Sequence, residues 1–249
     1  MLELQQLSKH FGGVRAVDGV DLSVQPGEIL GLIGPNGSGK STIVNLICGL
    51  FPRTSGRVIF KGQDISDLPP HERVTLGIAR TFQNIRLFGQ LTVWQNLWVA
   101  QNSAEQRQQN PVRRWFGGSR VAREEISHTL AFFDLAQKAD ELAGNLAFGE
   151  QRRLEFARAF AARPSLMLLD EPAAGMNAEE IDLLDVRIRK LREFGMAVLL
   201  IEHHVELVMS VADRIAVLNF GQKIAEGLPV AVQNNALVRE AYLGAAAVA

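Results

Sequence analysis

The stretch "GPNGSGKST", residues 34–42, matches the pattern G-x-x-x-x-G-K-[ST] from Gly34 to Ser41. Its flanks have the required character: "EILGLIG" before it reads as a buried strand, and "KSTIVNLICGL" after it reads as a helix. Gly34, Gly37 and Gly39 let the backbone curl so that successive N–H groups point at one anion, with Pro35, Asn36 and Ser38 completing the turn. Lys40 then places a point charge on the β- and γ-phosphates of a nucleoside triphosphate. Ser41 offers a hydroxyl to Mg²⁺, and Thr42 is placed for the α-phosphate.

A triphosphate site also needs a metal anchor and a group that directs the attacking water. "SLMLLDEP", residues 165–172, supplies both at the end of a continuous apolar strand. Asp170 is expected to hold Mg²⁺ through water, and Glu171 to polarise the water that attacks the γ-phosphorus.

Bulk composition fits this reading. The 249 residues are 47% hydrophobic, ample for a packed core. A formal net charge of −1 gives no general electrostatic hold on nucleic acid. The single cysteine, Cys48, cannot form an internal disulfide and sits in an apolar helix pattern as a small core filler, which suits a reducing cytoplasm. The opening "MLELQQLSKH" lacks a basic region followed by an apolar core, so no signal peptide is expected. No apolar run approaches the ~20 residues that cross a bilayer.

Apolar runs bounded by glycine alternate with helical periodicity, the pattern of an α/β fold. "SLMLLD" and "AVLLIEH" are strands of the kind buried on both faces of a parallel sheet, while "LELQQL", "VDLSV" and "GRVIF" in the N-terminal third predict antiparallel pairing. Asn177 and Glu180 form a capping box that opens a helix carrying Ile181, Leu184, Ile188 and Leu191, and Gly195 ends it. From 84 to 162 strand signals fade and helices dominate. The expected organisation is therefore a core of residues 1–83 and 163–249 with a helical subdomain, 84–162, inserted into it. Inside the insertion, "QNSAEQRQQNPVRRWFGGSR", residues 101–120, reads as an exposed polar loop broken by Pro111 and Gly117-Gly118.

A second anion cradle stands within the insertion. In "NLAFGEQRRLEFARA", residues 145–159, Gly149 opens an amphipathic helix, and a helix start favours negative charge because its first N–H groups have no partner.

Taken together, "GPNGSGKST", "RTFQ", "LAFGEQRR", "SLMLLDEPAAGMN" and "LLIEHH" resemble, in order and spacing, an ABC-type ATPase subunit of the P-loop NTPase class, over essentially the whole chain. That resemblance implies ATP and Mg²⁺ as cofactors. It places Phe11 where an aromatic stacks on adenine, although covering a hairpin is the alternative. Gln83 falls at the Q-loop position, sensing Mg²⁺ and the γ-phosphate. Residues 174–177 form the D-loop, and His203 is the switch histidine that bonds the γ-phosphate and the water. It also explains the second cradle. In such ATPases two subunits pack head to tail, so Ala147, Phe148, Gly149 and Glu150 would cap the ATP held by a partner's P-loop. Three departures follow. Ala147 replaces the usual serine and loses a contact worth about 1.5–3 kcal/mol. Glu150 replaces the common glutamine, and His204 an aspartate.

Within that family the chain looks most like the ATPase subunits of bacterial branched-chain (hydrophobic) amino acid importers, carried by "RTFQNIRLFGQLTVWQNLWVAQ", "EPAAGMN", "LLIEHHVELVM" and "REAYLG". The resemblance implies permease subunits docked in a groove near Gln83 and a second, related ATPase subunit in preference to a homodimer. It further implies a periplasmic binding protein, no nucleic acid, and a place on the cytoplasmic face of the inner membrane. Urea, amide or lipopolysaccharide transport, and a non-transport or regulatory nucleotide-binding protein, are the competing readings.

Overall fold

A computed structural model describes residues 1–82, 85–105 and 118–246 of the chain. It divides into two units, Met1–Ile78 with Ser165–Ala249, and Ala79–Pro164.

The first unit holds two sheets. β1 (Leu2–Phe11), β2 (Val14–Val24), β4 (Ser55–Phe60) and β5 (Gln63–Asp64) pair antiparallel in the order β2-β1-β4-β5. The alternation of Leu2, Leu4 and Val20, Leu22 with polar residues buries one face of this sheet and leaves the other to solvent. The second sheet runs in the order β10 (Gln222–Gly227), β9 (Arg214–Asn219), β3 (Ile29–Ile33), β8 (Ala197–Ile201), β7 (Leu166–Asp170), β6 (Ile78–Arg80). β3 pairs parallel with β8 and β9, and β7 parallel with β8; only β10 is antiparallel to its neighbour β9 among the pairings described. Every residue of β3, β7 and β8 is buried, as expected for strands covered on both faces.

α1 (Lys40–Ile47) follows β3 and turns Ile43, Val44, Leu46 and Ile47 into a core shared with Leu4, Leu30, Leu168 and Leu199. It stops earlier than the sequence pattern suggests. Gly49 is left-handed at φ 73°, so Cys48 caps the helix and does not extend it. Arg73 of α2 (Pro70–Leu76) clamps that end, its Nη1 donating to the carbonyls of Leu46 and Ile47 at 2.7 and 2.9 Å. Buried carbonyls at a helix C-terminus need such donors, and a cation there complements the dipole. α6 (Ala178–Glu193) starts at the capping box: Asn177 Oδ1 accepts the Glu180 N–H, and Glu180 Oε2 accepts the Asn177 N–H, each at 3.0 Å. α7 (Val205–Val211), α8 (Pro229–Gln233) and α9 (Ala236–Ala246) complete the unit.

The second unit is helical: α3 (Val93–Glu105), α4 (Gly118–Phe132) and α5 (Phe148–Ala161). Its core joins Leu97, Ile126 and Leu154 to a cluster of Phe132, Phe133, Phe156 and Phe160, with ring centroids as close as 4.9 Å. α3 runs through Glu105, so the first residues of the expected 101–120 loop are helical; no breaker precedes Pro111, and Gln101 is 3% exposed and bonds Glu125. Residues 118–120 begin α4, and the remainder of that stretch lies outside the described residues. No helix among the described residues is long and apolar enough to cross a membrane.

Replacing Leu199, fully buried in the centre of the second sheet, by alanine should lower the unfolding free energy by about 2–5 kcal/mol in chemical denaturation. A loss below about 1 kcal/mol would contradict the tight packing of β8.

Candidate nucleotide site

The glycine turn is moulded against its neighbours. Gly34 has φ 152°, and a Cβ there would lie 2.2 Å from the Leu218 carbonyl oxygen on β9. At Gly39, φ 106°, a Cβ would lie 2.3 Å from the Ala16 carbonyl oxygen on β2. No other residue type fits at these two positions without moving backbone. Between them Asn36 and Gly37 are exposed, forming the open rim of the turn, and Ser41 is exposed beside it while Thr42 and Pro35 are half-buried.

Two polar groups inside the turn point to an anion. Lys40, 5% exposed, turns its Nζ onto the carbonyls of Gly34 and Pro35 at 2.8 and 3.0 Å. Burial pushes its pKa down, and the negative charges of Glu171 and Asp170 oppose that shift. The Ser38 hydroxyl is buried with no hydrogen-bond partner among the described residues. A phosphate oxygen is the natural acceptor for such a group.

The acidic residues arrive at the carboxyl ends of β7 and β8. Asp170, 4% exposed, ends β7, and β7 stands level with β8 through the pairing Asp170↔Ile201. Glu171 follows in the left-handed region at φ 51°, held by its N–H on the Ile201 carbonyl at 2.8 Å. That turn aims its carboxylate at His203, whose Nε2 lies 2.8 Å from Glu171 Oε1. His203 is the more exposed of the two, with 45% of its side chain accessible against 16% for Glu171. Lys40, Asp170, Glu171 and His203 thus gather around the turn. His204 is exposed at the start of α7. Phe11, 44% exposed at the end of β1, meets Phe51 edge-on with centroids 5.4 Å apart and has Lys9 Nζ 4.8 Å from its ring centre.

In the helical unit, Ala147 is the N-cap of α5, and Phe148, 51% exposed, is its first residue, ahead of Gly149. Alanine carries no side-chain acceptor, so only half of a capping box forms: Glu150 Oε2 accepts the Ala147 N–H at 3.0 Å. Glu150 also lies 3.9 Å from Lys138 Nζ, so its charge is engaged within its own unit. Gln83 lies outside the described residues. Residues near it are anchored to α5: Arg152 Nη1 donates to the Phe82 carbonyl at 3.0 Å, and Glu155 Oε1 accepts the Arg86 N–H at 3.3 Å. Burial pushes the Glu155 carboxyl up, the Arg86 N–H and Arg152 pulling against it.

Sequence reasoning assigned no role to Arg152, Glu155, Glu202 or Tyr242. Burial raises the Tyr242 phenol on α9, and a hydrogen bond from the Gly34 backbone opposes the rise, which places this phenol against the glycine turn. In the sequence, more than 200 positions separate the two, and nothing local signals that partner.

Comparisons with known proteins identify the family. The family profile described as ABC transporter matches residues 17–174, and that described as branched-chain amino acid ATP-binding cassette transporter matches residues 222–248. The chain is 43% identical to the high-affinity branched-chain amino acid transport ATP-binding protein BraF of Pseudomonas aeruginosa, covering 99% of this chain and 98% of that one. It is 40% identical to the corresponding LivG protein of Escherichia coli, again over 99% and 98%. A crystal structure of the ADP conformation of an ATP-binding cassette from an ABC transporter superposes with a TM-score of 0.85 at 32% identity, covering 98% of each chain.

Lys40→Ala removes the one side-chain cation buried in the glycine turn and should weaken ATP binding at least about tenfold in an equilibrium titration, a loss in keeping with charged hydrogen bonds. Unchanged affinity would argue that the ammonium stays on the Gly34 and Pro35 carbonyls when nucleotide binds.

Proposed function

The chain belongs to the ABC transporter family of ATPases, and from that premise we propose that it is the ATP-hydrolysing subunit powering a branched-chain amino acid importer. The observation that carries the catalytic part is the Glu171–His203 contact at 2.8 Å beside a buried Lys40 and Asp170. The ligand class is supported by the match of residues 222–248 to the branched-chain family and by the kinship with BraF and LivG.

This reading gives each residue a task. The backbone N–H groups of the 34–42 turn and Lys40 take the β- and γ-phosphates. Lys40 exchanges its two carbonyl bonds for phosphate oxygens, an exchange favoured because a buried ammonium gains from full negative charge. Ser41 and Asp170 are suited to hold Mg²⁺, a hard cation that takes oxygen ligands and neutralises phosphate charge when bound. Glu171 accepts a hydrogen bond from the attacking water, and His203 holds that water and the γ-phosphate in register with it. Gln83 is assigned a share in sensing Mg²⁺ and the γ-phosphate, and Phe11 the adenine face.

The α5 start is assigned to a partner's ATP. Its first N–H groups carry the positive end of a 14-residue helix, and Ala147 leaves backbone as their main resource. ATP would then join two ATPase subunits, a related chain being the expected partner, and hydrolysis would release them. Permease subunits would dock near Gln83 and carry the closing motion across the membrane, with a periplasmic binding protein supplying the amino acid. The subunit would sit on the cytoplasmic face.

Glu171→Gln removes the water-directing charge and leaves both cradles. ATP affinity should be retained, hydrolysis should fall at least about 10²-fold, and a nucleotide-bound dimer should persist in size-exclusion chromatography. Native turnover by this variant would rule out Glu171 as the water-directing group. Transport of radiolabelled leucine by vesicles holding the whole assembly, lost with Glu171→Gln, tests the importer assignment. Absence of leucine uptake by the native assembly would overturn it.

A further inference from the structure

β8 ends at Ile201, and Glu202 follows with its side chain turned back into the protein, 3% exposed. Its Oε1 accepts the Ala173 N–H at 2.6 Å. Its Oε2 accepts the N–H of His203 at 3.0 Å and approaches that of His204 at 3.4 Å. These donors come from two turns: Ala173 stands just past Glu171, after β7, and the histidines stand after β8. A buried carboxylate costs much to desolvate, so its placement among three donors is a demanding arrangement.

Glu171 adds a reason for it. A non-glycine residue at φ 51° is strained and persists only where its surroundings over-determine it. The Glu171 N–H on Ile201 and the Ala174 N–H on the Glu171 carbonyl, 3.2 Å, restrain the turn through backbone. The Glu202 carboxylate restrains it through a side chain, and the same carboxylate holds the residue that meets Glu171.

We propose that Glu202 is a positioning residue for hydrolysis: by clamping the turns after β7 and β8 together, it keeps Glu171 and His203 at hydrogen-bond distance and in line with the attacking water. This rests on the reading of Glu171 as the water-directing group. Glutamine has the same shape but one acceptor oxygen, and its amide N–H₂ would confront a backbone N–H on one of the two turns.

The test is steady-state ATP hydrolysis by the assembled transporter, with nucleotide affinity titrated separately. Glu202→Gln should lower kcat by about 10- to 100-fold, the usual consequence of losing an orienting partner, while ATP affinity stays within about twofold because the 34–42 turn keeps its own supports. In a His203→Ala background, Glu202→Gln should cost less than about threefold more, since both act on one alignment. Glu202→Asp retains the charge with a shorter reach and should fall between native and Gln; it carries the same double-variant comparison if the Gln chain does not fold. Native kcat in Glu202→Gln, equal losses of kcat and affinity, or fully multiplicative losses with His203→Ala would each overturn the clamp. Absence of hydrolysis by the native assembly would instead overturn the ATPase reading, and the clamp with it.

Discussion

The parallel pairing of β3, β7 and β8 is the constraint on which the site depends. Leu32 pairs with Ile201, and Ile201 with Asp170, so the three strands end at one level. Whatever follows each strand therefore emerges on the same edge of the sheet: the glycine turn after β3, Asp170 and Glu171 at the end of β7, Glu202 and His203 after β8. Ligand sites of open α/β sheets lie at the carboxyl ends of strands for this reason. Complete burial of the strands gives that edge its rigidity, because no residue in them can move without disturbing close packing.

What was legible in the sequence is what local geometry dictates. Gly34 and Gly39 are forced by carbonyls that a Cβ would strike, and the spacing of these glycines marks the turn by itself. β7 and β8 show as unbroken apolar runs, and the cap at Asn177 needs only a residue three positions away. What escaped reading depends on distant partners. Glu202 finds Ala173 29 positions away, and Arg152 finds Phe82 at a separation of 70. In the sequence each is an ordinary charged residue, and only the fold supplies the donor or acceptor that makes burial tolerable. The misread ends of α1 and α3 have a simpler origin, since helix length near a boundary is set by competition among weak local preferences.

At the start of α5 only one half of a capping box is present. Glu150 accepts the Ala147 N–H and is balanced by Lys138, while position 147 has no side-chain acceptor to return the bond. The N–H groups that follow have no acceptor within the helix, as in the first turn of any helix. Arg152 and Glu155, further along the same helix, hold the backbone at Phe82 and Arg86. A single helix thus runs from that tip to the residues that hold Phe82 and Arg86, within one unit.

The strand order has a price during synthesis. β3, "ILGLI", is among the first strands of its sheet to leave the ribosome, yet both its neighbours, β8 and β9, lie beyond residue 196. Until that far segment emerges, a wholly apolar strand has no edge to join, and parallel pairings of such sequence separation close slowly. The nascent chain must therefore shelter β3 by collapse against its own antiparallel sheet or in the grip of a chaperone. An apolar strand left unpaired in this way is a place where aggregation can begin during synthesis.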